Sequence, residues 1–299
     1  MIKVERKWRN IMIDKNQIFE IGIGTWKIDP ENIESEVEAL LNSYNLGQNY
    51  LSLSMLYNNG EVVKKLKKFI ERVDRKKLFI AANLEPNIEC ETDVEKQLDE
   101  YLTSLDIEYV DMLQLHKPSF SKIPLINVYK EIQRMVEIGK VKYIGISNAS
   151  LEQLETVNKE VKIDFFEGIY NLECKIYEDI KVIEYCNQND IKFLCYQPLR
   201  RNRTALRNYP LLVELANKYQ KTQNQIILNW LIKEKKMIAL VKTTNIHRIN
   251  ENKQALDFEM EKEDYQKLNT FRSEEFDNIK VDWKDNGGIP IDQLANQFM

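Results

Sequence analysis

The chain has 299 residues, of which 43% are hydrophobic and 30% charged, and carries a net charge of −4. Those values describe a globular chain with a sizeable core and no basic footprint, which argues against nucleic acid as a general partner. No apolar run approaches the roughly 18 residues of a membrane span, and the opening MIKVERKWRN lacks the apolar stretch of a leader, so a cytoplasmic protein without a membrane partner is expected. The four cysteines, Cys90, Cys174, Cys186 and Cys195, lie far apart and form no CxxC pair. They read as reduced thiols. With only two histidines, no multi-histidine metal site is expected.

In chain order, short apolar runs alternate with longer stretches of helical periodicity. The runs are IGIGTW (21–26), YLSLS (50–54), LFIAANL (78–84), YVDMLQLH (109–116), VKYIGIS (141–147), FFEGIYN (165–171), KFLCYQP (192–198) and MIALVKT (237–243). Between them, stretches such as ENIESEVEALLNSYN, TDVEKQLDEYLTSL and INVYKEIQRMVEIG repeat leucine, isoleucine or valine at spacings of three and four. Fully apolar strands separated by amphipathic helices call for a parallel sheet covered by helices. Eight such units predict an α/β fold of (β/α)8 barrel type in a single domain, 1–299. Periodicity cannot see closure, so an open doubly wound sheet is the alternative.

Chemistry in such barrels gathers at the carboxyl ends of the strands. Those ends carry Thr25 and Trp26, Tyr57, Asn83, His116, Ser147 with Asn148, Tyr170 with Asn171, Tyr196, and Lys242 with Thr243. Polar and aromatic groups on one rim suit a flat, polar small molecule. Trp26 and Tyr57 could wall such a pocket, although aromatics at strand ends more often serve packing. The last unit, KTTNIHRINEN (242–252), opens a helix that Thr244 or Asn245 can cap. Lys242, a hydroxyl, a helix start and Arg248 together describe a clamp for a phosphate monoester. Arg248 and Asn252 fall on one helix face. An ordinary solvated helix with surface charges is the competing reading.

Taken in order, these segments resemble the aldo-keto reductases, a family of (β/α)8 barrels that transfer hydride from NADPH to carbonyl substrates. The resemblance runs from about residue 17 to 275. IGIGTW is similar to the family's first strand, IEYVDMLQLHKP to the segment with its catalytic histidine, and IGISN to the serine and asparagine that hold the nicotinamide carboxamide. Tyr196, in YQPL, sits where the family stacks a tyrosine on the nicotinamide. KTTNIHRINEN is similar to the 2′-phosphate and adenine site, matched by Lys242, Thr243, Arg248, Glu251 and Asn252. The resemblance therefore implies NADP(H) as cofactor, with Gly24, Thr25, Trp26, Ser147, Asn148, Glu167, Tyr196, Leu199 and Arg200 also along it. The segment 272–299 falls where the family shapes its substrate pocket, and does not identify the substrate.

The family's catalytic residues are an aspartate, a tyrosine, a lysine and a histidine. Here Tyr57 and His116 match, whereas Ser52 stands for the aspartate and Asn83 for the lysine. A free tyrosine has a pKa of about 10, and burial without a cation raises it. An asparagine can assist proton loss only as a neutral dipole. Much of the roughly 10²–10⁴-fold contribution of general acid catalysis should then be missing for a plain ketone. The double replacement is coherent, since losing one partner alone would leave a buried unpaired charge. It reads as adaptation of the site more readily than as decay.

Two further departures bear on the pocket. The family's glutamine on the sixth strand is Glu167, which while ionised accepts but cannot donate a hydrogen bond. After the seventh strand, PLRRNRTALR carries Arg200, Arg201, Arg203 and Arg207, which could clamp a diphosphate or an anionic substrate, or could simply be solvated. The favoured function is an NADPH-dependent oxidoreductase acting on an activated group, such as an imine or a C=C bond. The alternatives are a non-redox lyase or isomerase using Tyr57 and His116, and a non-catalytic NADP(H)-binding module. The oligomeric state is not legible.

Overall fold

The computed structural model describes residues 13–118 and 121–273. Eight parallel strands, β1 (Ile21–Gly24), β2 (Tyr50–Ser54), β3 (Phe79–Leu84), β4 (Val110–Leu115), β5 (Val141–Ser147), β6 (Phe165–Ile169), β7 (Lys192–Tyr196) and β8 (Ile238–Val241), pair in sequence order. β1 pairs with β8, so the sheet closes into a barrel and the open alternative is removed. The strands fall within the eight apolar runs.

Helices cover the outside. The first five strands are each followed by one: α1 (Ile33–Asn45), α2 (Glu61–Ile70), α3 (Thr92–Leu105), α4 (Leu125–Glu137) and α5 (Leu151–Glu160). Two short helices, α6 (Ile176–Asp179) and α7 (Val182–Gln188), follow β6. After β7 come α8 (Arg203–Leu206), α9 (Pro210–Tyr219) and α10 (Gln223–Asn229), and after β8 come α11 (Ile246–Lys253) and α12 (Lys262–Thr270). Their patterning explains the wrapping. In α2, Val62, Val63, Leu66, Phe69 and Ile70 are buried while the lysines face outwards. Helices α5 and α10 start in capping boxes, Ser150 with Gln153 and Thr222 with Gln225.

Alternate strand residues point into the barrel, and the interior has two halves. At the amino-terminal end, Tyr50, Phe79, Tyr143 and Phe165 form an aromatic cluster. Phe79 lies 5.2 Å from the Tyr50 ring, 5.9 Å from Tyr143 and 5.5 Å from Phe165. Ile13 and Ile18 belong to the same apolar cluster. Towards the carboxyl ends, the inward positions become Ser52, Asn83, Gln114 and Glu167, all buried. Gly145 makes room for this polar layer, because a Cβ there would fall 2.7 Å from Gln114 Oε1.

Beyond the barrel, Lys175 Nζ donates to the carbonyls of Leu268, Asn269 and Phe271 and so fastens the end of α12. The remainder of the carboxyl-terminal segment, from residue 274, lies outside the described residues. All four cysteines are free. Among the described residues no helix is long and apolar enough to cross a membrane.

Candidate active site

Strand register brings the replaced pair together. Asn83 Nδ2 donates to the Leu53 carbonyl at 2.8 Å and to Ser52 Oγ at 3.3 Å. Its Oδ1 accepts from Gln114 Nε2 at 2.6 Å, and the same nitrogen donates to Glu167 Oε2 at 2.8 Å. Where an ion pair would sit, the barrel therefore carries a chain of neutral dipoles that ends on one carboxyl group. Burial pushes the Glu167 pKa up to about 7, with the Gln114 bond acting in the opposite sense. Gln114 was not singled out from sequence. A glutamine inside the otherwise apolar VDMLQLH was the available signal, and only the register shows that it points inwards.

Tyr57 begins a short 3₁₀ turn, Tyr57–Gly60, just past β2. Asn58 and Asn59 adopt left-handed φ values of 50° and 52°, which asparagine tolerates better than most residues. Tyr101 pins this loop, its hydroxyl accepting from the Met55 N–H at 2.8 Å and donating to the Asn83 carbonyl at 2.7 Å. The Tyr57 and His116 rings lie edge to face, with centroids 6.3 Å apart. His116 Nδ1 is 3.4 Å from Ser54 Oγ. Strands β2 and β4 thus converge at one end of a cavity of about 580 Å³, a size ordinary for small-molecule sites.

The cavity runs from Ser52, Tyr57 and His116 to Arg248, Glu251 and Asn252. Gly24, Thr25, Trp26, Asn148, Glu167, Tyr196, Leu199, Arg200, Lys242 and Thr243 also border it, whereas Asn83 and Ser147 support it from behind. Asn148, at φ 55°, donates to the His116 carbonyl and to Ser147 Oγ, and accepts from the Tyr196 hydroxyl at 2.8 Å. The serine, asparagine and tyrosine picked out from sequence form one network. Thr25 Oγ1 donates to the Ser52 carbonyl, tying β1 to β2 beside the site.

At the opposite end Asn245 caps α11 by accepting from the N–H groups of His247 and Arg248, and its own N–H donates to Thr243 Oγ1. Lys242 Nζ lies 2.8 Å from Glu36 on α1. The Glu251 carboxylate accepts from Thr222 Oγ1 at 2.6 Å, and its backbone carbonyl accepts from Gln225 Nε2 at 3.0 Å. Glu36, 206 positions from Lys242, had no signal in the sequence.

The arginines after β7 divide between separate tasks. Arg200 Nη1 and Arg207 Nε bind the buried Glu173 at 2.6 and 2.9 Å, and Thr204 and Tyr209 donate to the same carboxylate. Arg201 lies over the Trp26 ring at 4.3 Å, across the cavity mouth. Arg200, Arg201 and Asn202 hold consecutive left-handed φ values of 45°, 56° and 72°. Such conformations are costly for residues with a Cβ, so the Glu173 bonds help to hold this turn. The joint anion clamp anticipated from the sequence is therefore revised for Arg200 and Arg207, whose guanidinium groups serve Glu173.

The donor set has two distinct ends. Lysine, hydroxyl, arginine and a capped helix start suit phosphate groups, while the tyrosine ring, the asparagine network and a buried carboxyl group suit a flat ring bearing an amide.

Comparison with known proteins bears on the family and the fold. The model of the Aldo/keto reductase family matches residues 20–272. Aldose reductase C of Dictyostelium discoideum is 25% identical over 287 residues, covering 87% of this chain and 88% of the relative. A thermostable aldo-keto reductase, solved with the inhibitor epalrestat, is 28% identical with a TM-score of 0.79, covering 85% of this chain and 95% of that one. An aldo-keto reductase of Bombyx mori, solved with NADP, shares the fold at 22% identity and a TM-score of 0.75, covering 90% of this chain and 94% of its own. The family uses NADP(H).

Proposed function

We propose that this chain, which belongs to the aldo/keto reductase family, is an NADPH-dependent oxidoreductase acting on a group already activated toward hydride, an imine or a conjugated C=C bond. The observation that carries this reading is the neutral Ser52–Asn83–Gln114 chain standing beside a cavity that Lys242, Thr243, Arg248, Asn148 and Tyr196 line. Lys242, Thr243 and Arg248 would hold the 2′-phosphate, Tyr196 the nicotinamide face, and Asn148 and Glu167 its carboxamide, with Ser147 positioning Asn148. When bound, the cofactor supplies hydride.

The chain's own groups then decide which acceptor reacts. Asn83 offers a neutral amide where the family carries an ammonium, so proton transfer from Tyr57 gains less help from that position and an alkoxide formed from a ketone is less well served. A protonated imine becomes a neutral amine on receiving hydride and needs no such donor. The carboxyl group of Glu167, facing the same cavity, favours a cationic acceptor further. Tyr57 and His116, edge to face at one end of the cavity, orient the acceptor by hydrogen bonding.

The test is oxidation of NADPH, followed by nicotinamide absorbance, in the presence of cyclic imines, conjugated enones and simple aldehydes. Turnover with an imine or enone well above that with aldehydes is expected. Loss of substrate with no change in nicotinamide absorbance would overturn the redox reading in favour of a lyase or isomerase.

A further inference from the structure

The eight strands contain two carboxyl groups, Asp111 and Glu167. Asp111 points out of the barrel, to Arg75 at 2.8 Å. Glu167 points inwards, is 5% exposed, and borders the cavity on the side of Ser52 and Tyr196. It accepts from Gln114 Nε2, a neutral donor, at 2.8 Å. The cavity's cations are Lys242, bound to Glu36, Arg248 on α11, Arg200, bound to Glu173, Arg201, over the Trp26 ring, and Lys117 beside His116. Glu167 is thus the carboxyl group at the cavity's inner floor, while Lys242 and Arg248 stand where phosphates would lie.

This arrangement matters for a dinucleotide held with its phosphates at the Lys242 and Arg248 end, the orientation adopted under the proposed function, on which the inference rests. Hydride loss turns a neutral dihydronicotinamide into a cationic ring, the electron pair leaving with the hydrogen for the substrate carbon while the substrate takes any proton separately. A carboxylate in a low-dielectric cavity stabilises the cationic ring and leaves the neutral one nearly unaffected. We propose that Glu167 sets the redox poise of the bound cofactor, binding NADP⁺ in preference to NADPH and so making the protein a stronger hydride donor. The same barrel that has given up its acid-strengthening lysine thereby gains on the hydride side of the reaction.

Titratable and charged groups on the neighbouring elements are Tyr50 on β2, Tyr57 on the loop after β2, His116 and Lys117 just past β4, Tyr143 on β5, Tyr196 on β7, Arg200 and Arg201 just past β7, and Lys242 just past β8. Of these, His116 could mimic the effect, since its loss of charge with rising pH also favours a cationic ring. The raised pKa of the Glu167 carboxyl puts its ionisation in the neutral range, where it can be followed.

The experiment measures dissociation constants of NADP⁺ and NADPH by fluorescence titration at about pH 5.5 and about pH 8.5, for the unaltered protein, Glu167→Gln and His116→Gln. The 2′-phosphate is common to both nucleotides, so its own titration cancels in the ratio. In the unaltered protein the preference for NADP⁺ should rise about tenfold from the acid to the alkaline condition, equivalent to about 30 mV for a two-electron couple. Glu167→Gln should abolish the rise and His116→Gln should keep it. A ratio independent of pH in the unaltered protein overturns the inference, as does a rise lost in His116→Gln or kept in Glu167→Gln. Should Glu167→Gln fail to fold, the unaltered protein and His116→Gln decide alone. Binding of neither nucleotide overturns the parent reading and this inference with it. Binding of both with an unchanged ratio overturns only the inference.

Discussion

Lys242, just past β8, holds Glu36 of α1 at 2.8 Å, so the cation proposed for a phosphate is already engaged by a carboxylate. The two must share that ammonium once a phosphate arrives. NADPH should still bind more tightly than NADH, because Arg248 and Thr243 stand at the same end. In tryptophan-quenching titrations Arg248→Ala should remove most of that preference. Glu36→Gln should raise NADPH affinity about threefold or more by removing the competing charge, and leave NADH nearly unchanged. Equal affinity of the unaltered protein for the two cofactors would sink the phosphate assignment.

Simple aldehydes and ketones should be poor substrates. Ser52 and Asn83 lie side by side, so Ser52→Asp with Asn83→Lys can restore an ion pair within the barrel. The double variant should raise aldehyde reduction by about tenfold or more. Either single change should do less, since each buries a charge without its intended partner. Rapid reduction of a generic aldehyde by the unaltered protein would refute the argument.

The fold was legible because buried parallel strands are apolar throughout and their helices are amphipathic. That contrast survives without knowing which strand neighbours which. Tyr57, His116 and the Lys242–Asn252 stretch were legible for a different reason, being polar groups at the ends of apolar runs. Gln114, Glu36 and Glu173 were not. Each acts through a partner brought close only by barrel closure or by helix packing, Gln114 on Asn83 and Glu167, Glu36 on Lys242, Glu173 on Arg200 and Arg207. For Arg200 and Arg207, local charge spacing therefore suggested a clamp whose ligand is a side chain of the protein itself.

Tyr57→Phe and His116→Ala should each lower turnover of the best substrate by about tenfold or more, with NADPH affinity changed little. Their rings meet at the end of the cavity away from Arg248, so the cofactor's phosphates should not sense either change. Steady-state kinetics alongside direct binding separates the two effects. Full activity in both variants would make the pair structural.

Glu173 should be visible in acid unfolding. Burial acts to raise its pKa, but the bonds from Thr204, Arg200 and Tyr209 outweigh burial and hold it below the ordinary 4.5. A carboxyl group depressed on folding contributes stability that is complete above its unfolded pKa and is lost as pH falls through the folded value. Denaturant titrations should show this loss beginning below about pH 4.5. Glu173→Gln should lower stability at neutral pH by about 3 kcal/mol and flatten that part of the pH profile. A variant as stable as the parent would show that the arginine turn stands without its carboxylate.

The rings of Tyr50, Phe79, Tyr143 and Phe165, stacked on Phe79 or set edge to face, fill the half of the barrel remote from the cavity. Aromatic pairs of this kind contribute about 0.5–1.5 kcal/mol each beyond the area they bury. Cohesion is thus concentrated away from the polar layer, and substitutions at Ser52, Asn83, Gln114 or Glu167 exchange hydrogen-bonding groups without opening that packing. Over evolutionary time the upper layer can be rewritten while the chain continues to fold. An ionic catalytic pair can be traded for neutral dipoles on an unaltered frame, and new chemistry can be tried at little risk to the scaffold.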